Sequence, residues 1–560
     1  MKALVLLVAL AGSAAAQEAR APTTPPAAAA TDSIALWDGL GDHRHPITTR
    51  SPLSQRYFDQ GLRFVYAFDH PDAIRSFRLA QRLDSTCAMC AWGEALALGP
   101  NINVPMDSAS GVAAYAAIRR AVALAPRATT RERAYIEALA ARYGAQPTAG
   151  RKSLDSAYAR AMAGVRRGDP RDDDAAVLYA ESEMLLGPWD YWLPDLRAKP
   201  HGMRAMDALA AVVRRSPRHA GGCHFYIHVV EAAYPERAVP CAERLPTLMP
   251  GAGHVVHMPA HVYIRVGRYA DAIDRNVHAL HADEPHLAEM PADGAYRLAL
   301  HPHNAHFLAF AASMIGRSAQ TLEAARQTRA KTDTTMLRTS GLGALQHYYM
   351  MPLLFNARFG HWDDVLAEPE PAEDLPYPRA LRHYARALAR IAEGDLSAAE
   401  QELAALRQLR TDERLKTVTI WDLNAGTSLL DIAQSSAEGE LAAARRDWPA
   451  AIAALKRAVA TEDGLTYDEP PPWHQPTRQQ LGTILLRAGR AADAEAEFRR
   501  NLRRHPENGW SLAGLAASLR AQGKTAEATR VDARFRRAWA TADVPRPDLV
   551  VGSSATRSGR

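Results

Sequence analysis

The chain has 560 residues, 47% of them hydrophobic, with 67 Lys plus Arg against 62 Asp plus Glu. That suits a soluble globular protein long enough for several domain-sized cores, and it excludes a wholly disordered chain. Only 7 of the basic residues are Lys, and the net excess of 5 charges is spread along the chain, so no concentrated polyanion-binding surface is expected and nucleic-acid binding is disfavoured. Aromatic residues make up 7% while Ala is abundant and β-branched runs are scarce, which leaves an all-α fold.

At the N-terminus, Met1-Lys2, the apolar run Ala3 to Ala11 and the small residues Ala14-Ala15-Ala16 form the pattern of a secretory signal peptide over residues 1–16. A periplasmic or secreted protein is expected, without a lipid anchor, since no Cys follows the cleavage site. No later apolar stretch reaches the roughly 18 residues of a membrane span. Residues 17–50 form a flexible tether and lead-in, poor in large apolar groups from 17 to 30. The four cysteines permit two bridges in an oxidising compartment; Cys87 with Cys90 and Cys223 with Cys241 is the preferred pairing of three. A redox pair or metal half-site at Cys87 and Cys90 is the alternative, and Ala91 stands where an attached haem would need His.

From residue 51 onward one helix–turn–helix pattern recurs with a period near 34 residues. Gly61, Phe64, Ala73, Phe77 and Ala80 set its spacing, which returns at Gly267, Tyr269, Ala272 and Ala279, at Gly394, Leu396 and Ala399, at Trp448, Ala451, Leu455 and Ala458, and at Leu481, Gly482, Leu485, Gly489, Ala494, Phe498 and Pro506. These residues resemble the tetratricopeptide repeat. The resemblance implies an all-α superhelical array of antiparallel helix pairs, a TPR-like α-solenoid whose concave surface is lined by the first helix of each pair. About ten to twelve units are expected, in a His-rich array over 51–345 and a C-terminal array over 346–543, with a disordered tail at 544–560. Insertions interrupt the pattern at 101–110, 186–200 and 467–476. The aromatic ones, with Trp189, Tyr191, Trp192, Trp473 and His474, either cover the groove or fill gaps between irregular repeats.

Twelve of the 21 histidines fall between His219 and His306, where even spreading would place about three. His224, His228 and Glu231 stand at i, i+4 and i+7, His254, His257 and His261 at i, i+3 and i+7, and His303 and His306 at i, i+3. Each group spans an arc of about 60° on its helix, so its side chains point to one side. The repeat glycines act as a ruler: His257 and His306 precede Gly267 and Gly316 by ten residues, and His254, His303 and His347 precede Gly267, Gly316 and Gly360 by thirteen. Imidazoles on neighbouring units can therefore converge, and several imidazoles with one carboxylate suit Zn, Cu, Fe or Ni better than Ca or Mg.

The candidate ligands are His224, His228, Glu231, His254, His257, His261, His303 and His306, with Glu231 the first candidate for a general base if the metal is catalytic. His278, His281 and His286 are read as packed, hydrogen-bonded residues. The rival function is a scaffold that grips a protein or peptide in the concave groove without metal. No nucleotide cofactor is expected: Gly523-Lys524-Thr525 lacks the first Gly of a phosphate loop, with Ser518 in its place, and is an inter-helix turn. No H-E-x-x-H or G-x-S-x-G occurs, and Asp172-Asp173-Asp174 is a charged helix start.

Overall fold

The computed structural model describes residues 34–146, 150–193, 195–287 and 296–547. The signal-peptide pattern, residues 17–33 of the expected tether and lead-in, and residues 548–560 of the expected tail lie outside the described residues. Among the described residues twelve antiparallel helix pairs follow one another along the chain, each packing on its neighbours, which makes the molecule an all-α, TPR-like solenoid. The first pair is Pro52–Tyr66 with His70–Leu83 and the last is Gly509–Ala521 with Thr525–Ala538. The one sheet among the described residues is the ribbon of Thr419–Ile420 with Asn424–Ala425. No helix among them is long and apolar enough to cross a membrane.

The recurring small residues do what the pattern requires of them. A Cβ on Gly61 would lie 2.8 Å from the ring of Phe77, one on Gly482 would lie 2.7 Å from Phe498, and one on Gly439 would lie 2.6 Å from Leu455. In all three the partner stands sixteen residues later on the second helix, so the glycine lets the two helices close on a large apolar side chain. The turns inside the pairs use left-handed glycines, among them Gly267 at φ 80° and Gly523 at φ 71°. Asp172 caps the helix Asp173–Met184 by accepting from the Ala175 N–H. Cys87 is bonded to Cys90 and Cys223 to Cys241.

The insertions fall where the pattern breaks: between the helices of the second pair, between those of the fourth, and before the eleventh. The lead-in from residue 34 to 50 is not loose. Ile34 and Leu40 are buried, the Trp37 ring stacks on His286 while the Trp37 backbone N–H donates to Gln60 Oε1, and His43 and His45 reach Asp174 at 2.9 and 2.7 Å.

The C-terminal pairs turn back onto the middle of the array. Arg265 Nη1 donates to the Arg504 carbonyl at 3.2 Å, Trp510 Nε1 to that of Ser313 at 2.8 Å, and Asp543 accepts from the Ser318 N–H at 2.6 Å. The insertion at 467–476 lies inside this closure, with Glu469, Trp473 and His474 buried. The histidine stretch is therefore enclosed by the chain itself and does not line an open concave groove.

Candidate metal centre

Three consecutive pairs supply the site. His224 and His228 lie on Ala220–Val230, and Glu231 caps its C-terminal end. Pro259 has no N–H to donate to the preceding turn, so the first helix of the next pair is split into Gly253–His257 and Pro259–Val266. The first segment carries His254 and His257, the second His261. His303 and His306 lie on His301–Met314.

Seven of the eight sequence candidates come together. His224, His228 and His254 form one trio, His257, His261 and His303 a second, and His228, Glu231 and His261 link them; within each set the ligand atoms lie within 4.8 Å of one another. His224, Glu231 and His257 are wholly shielded from solvent, while His303 is only half-buried. His306 does not join. Its ring neighbours are His347 at 6.0 Å and Tyr348 at 5.3 Å, on the far side of its helix. His278 and His281 are exposed and remote from the trios, and His286 stacks on Trp37.

Hydrogen bonds outside the trios settle which nitrogens face inward. His224 Nδ1 lies 2.6 Å from the Tyr66 carbonyl and His257 Nδ1 lies 2.7 Å from Asn276 Oδ1. The Asn276 amide cannot turn over, because its Nδ2 donates to the Ala272 carbonyl at 2.7 Å. Both Nδ1 atoms therefore carry the proton, and both Nε2 atoms present lone pairs. His261 Nδ1 faces Glu231 Oε2 at 3.1 Å and His228 Nδ1 faces Oε1 at 3.7 Å, neither contact forming a hydrogen bond; a carboxylate there favours the tautomer with the proton on Nδ1 and the lone pair on Nε2.

The result is two pairs of imidazole nitrogens meeting head-on, His224 with His228 at 3.1 Å and His257 with His261 at 2.9 Å. Lone pairs at that distance repel unless a proton or a metal ion lies between them. His254 lies beside the first pair with neither ring nitrogen hydrogen-bonded, an arrangement that costs about 1–3 kcal/mol for each buried orphan atom.

Electrostatics match this. Burial would raise the Glu231 pKa, but His261, with His228, holds it down at about 2, so a buried anion stands at the junction of the trios. Burial first, and then the neighbouring imidazoles, push His224, His254, His257 and His303 well below the ordinary histidine range. Neutral imidazole is the form that binds a metal, so these four donors are ready without prior deprotonation. The walls are aromatic. Phe68 stacks on His228 and His254 at 5.7 and 5.4 Å, Trp189 meets His228 edge-on at 5.1 Å, and Phe307 packs on His257 and His261 at 4.8 and 4.7 Å. Phe68 and Trp189 both take left-handed backbone, φ 60° and 63°, strain of the kind that collects at functional sites. Trp189 thus covers the centre, while Trp192 ties the insertion down through Nε1 to the Val229 carbonyl.

A further group went unread in the sequence. Asp174 accepts from Tyr66 Oη at 2.6 Å, His43 at 2.9 Å, His45 at 2.7 Å and His219 at 3.2 Å. His219 Nδ1 in turn accepts the Gly222 N–H. With its donors satisfied within the protein, this cluster is a latch that ties the lead-in to the first, fourth and fifth pairs.

No protein-family model matches the chain, and no curated protein is similar to it in sequence. Solved structures with a similar course include the human IFIT1 dimer with m7Gppp-AAAA, at 13% identity over 88% of this chain and 91% of that one with a TM-score of 0.30. Yeast Tom70 follows at 10% identity over 86% and 90%, TM-score 0.27. A chain of the Naa15/Naa10 structure bound to HypK-THB matches at 12% over 87% and 70%, TM-score 0.23.

Proposed function

We propose that this chain is a transition-metal-binding protein of the periplasm or extracellular space, with its metal held by buried imidazoles at the centre of the solenoid. The observation that carries the proposal is the head-on approach of paired Nε2 atoms, one of each pair with its opposite nitrogen tied to Tyr66 or Asn276 and the other with its opposite nitrogen turned toward Glu231. All-imidazole ligation suits Zn, Cu, Fe or Ni. The setting outside the cytoplasm is supported by the N-terminal sequence pattern and the two disulfides.

Glu231 enters as a positioning group. Its carboxylate has no solvent exposure and faces the Nδ1 atoms of His228 and His261, the placement from which a carboxylate orients ligating histidines and raises their basicity. That displaces the general-base role considered from sequence. The scaffold reading draws on the helical-repeat fold, but the histidines are too deeply buried to grip a peptide. Metal analysis of protein purified without chelator tests the proposal: at least one tightly held ion per chain is expected. A metal-free protein that also takes up no Zn or Cu returns the scaffold to first place.

A further inference from the structure

We infer that the centre holds two metal ions side by side, one on His224, His228 and His254 and the other on His257, His261 and His303, with Glu231 as their shared positioning carboxylate. This rests on the metal proposal above and goes beyond it in fixing the number of ions and their ligands.

The two trios share no residue, and they are built to one plan displaced by one repeat. In each, a histidine pair at i and i+4 on one helix pair brings its Nε2 atoms together, at 3.1 and 2.9 Å. In each, the first member is anchored through Nδ1 by a neutral acceptor, Tyr66 or Asn276, and the second turns its Nδ1 toward Glu231. In each, the third imidazole comes from the following repeat, His254 or His303, both thirteen residues before their turn glycine. A next step would pair His306 with position 310 and draw on His347, but position 310 is Phe. The ladder therefore has two complete rungs and stops.

The rungs adjoin. Ring centres of His228 and His261 are 5.6 Å apart and those of His254 and His257 are 6.0 Å apart. Three neutral imidazoles leave a coordination position open on each ion. The 467–476 insertion brings a second buried carboxyl, Glu469, into the enclosure, with Oε1 3.6 Å from Arg265 Nε and accepting from Tyr467 Oη, and Oε2 without a hydrogen bond.

The test is a count on the full-length protein. After loading with Zn(II) and desalting, two ions per chain are expected, falling to one in His254→Gln and one in His303→Gln, and to none in the double variant with helix content retained. After loading with Cu(II), dipolar coupling between the adjacent ions should broaden the electron paramagnetic resonance signal and add a half-field transition that an isolated Cu(II) ion lacks, with no variant needed. One ion per chain in the wild type, lost in Glu231→Gln, would overturn the two-ion centre in favour of a single site on His228, Glu231 and His261, while leaving the metal proposal standing. Two ions whose number neither His254→Gln nor His303→Gln changes also overturns it. No ion at all would instead sink the metal proposal itself.

Discussion

Replacing Asn276 by Ala removes the acceptor that fixes the His257 tautomer. The amide is fully buried, accepts from His257 Nδ1 at 2.7 Å and cannot turn, because its own N–H is committed to the Ala272 carbonyl. Without it the Nδ1–H is left buried and unpaired, at about 1–3 kcal/mol. The ring escapes that cost by moving its proton to Nε2, which then points at His261 and no longer offers a lone pair. Loss of such an outer hydrogen bond weakens metal binding by about 10–100-fold, equal to about 1.4–2.8 kcal/mol. Asn276→Asp keeps an acceptor in place and should hold affinity within a few-fold of wild type. A competition titration with a chromophoric chelator at neutral pH measures all three proteins. Wild-type affinity in Asn276→Ala, or equal weakening in both variants, would refute the role assigned to Asn276.

Three further outcomes follow from other parts of the molecule. Burial raises the Glu440 pKa to about 7, only partly offset by Arg487, so its contribution to stability is present below about pH 4.5 and is lost as pH rises from there to about 7, by about 3 kcal/mol. Glu440→Gln should therefore melt like wild type near pH 4 and above it at pH 8; the same difference at both would count against the neutral buried carboxyl. Asp174→Ala leaves four donors without their acceptor, and should destabilise by at least about 2 kcal/mol and open residues 34–50 to proteolysis, with unchanged cleavage contradicting the latch. Gly482→Ala drives a Cβ into Phe498 and should cost about 1–3 kcal/mol in chemical denaturation, whereas a neutral result would remove the close-approach account of the repeat glycines.

The repeat was legible because its signal is local. Gly61 and Phe77, or Gly482 and Phe498, lie sixteen residues apart within one helix pair, and the three insertions show as breaks in that spacing. The histidine registry was legible for the same reason: an i, i+4 pair such as His257 and His261 converges wherever the helix goes. What registry could not assign was the direction of an i, i+3 pair, because each helix has a neighbour on either side. His254 turns back to the preceding repeat and His257 forward to the next, and His303 and His306 divide in the same way, which is why His306 falls away toward His347.

The enclosure of the site was legible only as one of two readings of the aromatic insertions, which could cover the groove or fill gaps between repeats. It depends on contacts such as Arg265 with Arg504 and on the 467–476 insertion, parts of the chain more than 160 residues beyond the histidines they cover. The Asp174 latch was hidden likewise, since its partners at His43, His45 and Tyr66 lie more than 100 residues away and its sequence context reads only as a helix start.

The most direct measurement is a crystal structure of the metal-loaded protein with diffraction recorded at the absorption edge of the metal. Anomalous peaks are expected between the paired Nε2 atoms of His224 and His228 and between those of His257 and His261, each about 2.0–2.1 Å from nitrogen. Metal confined to exposed histidines such as His278 and His281, with both trios empty, would contradict the proposed function.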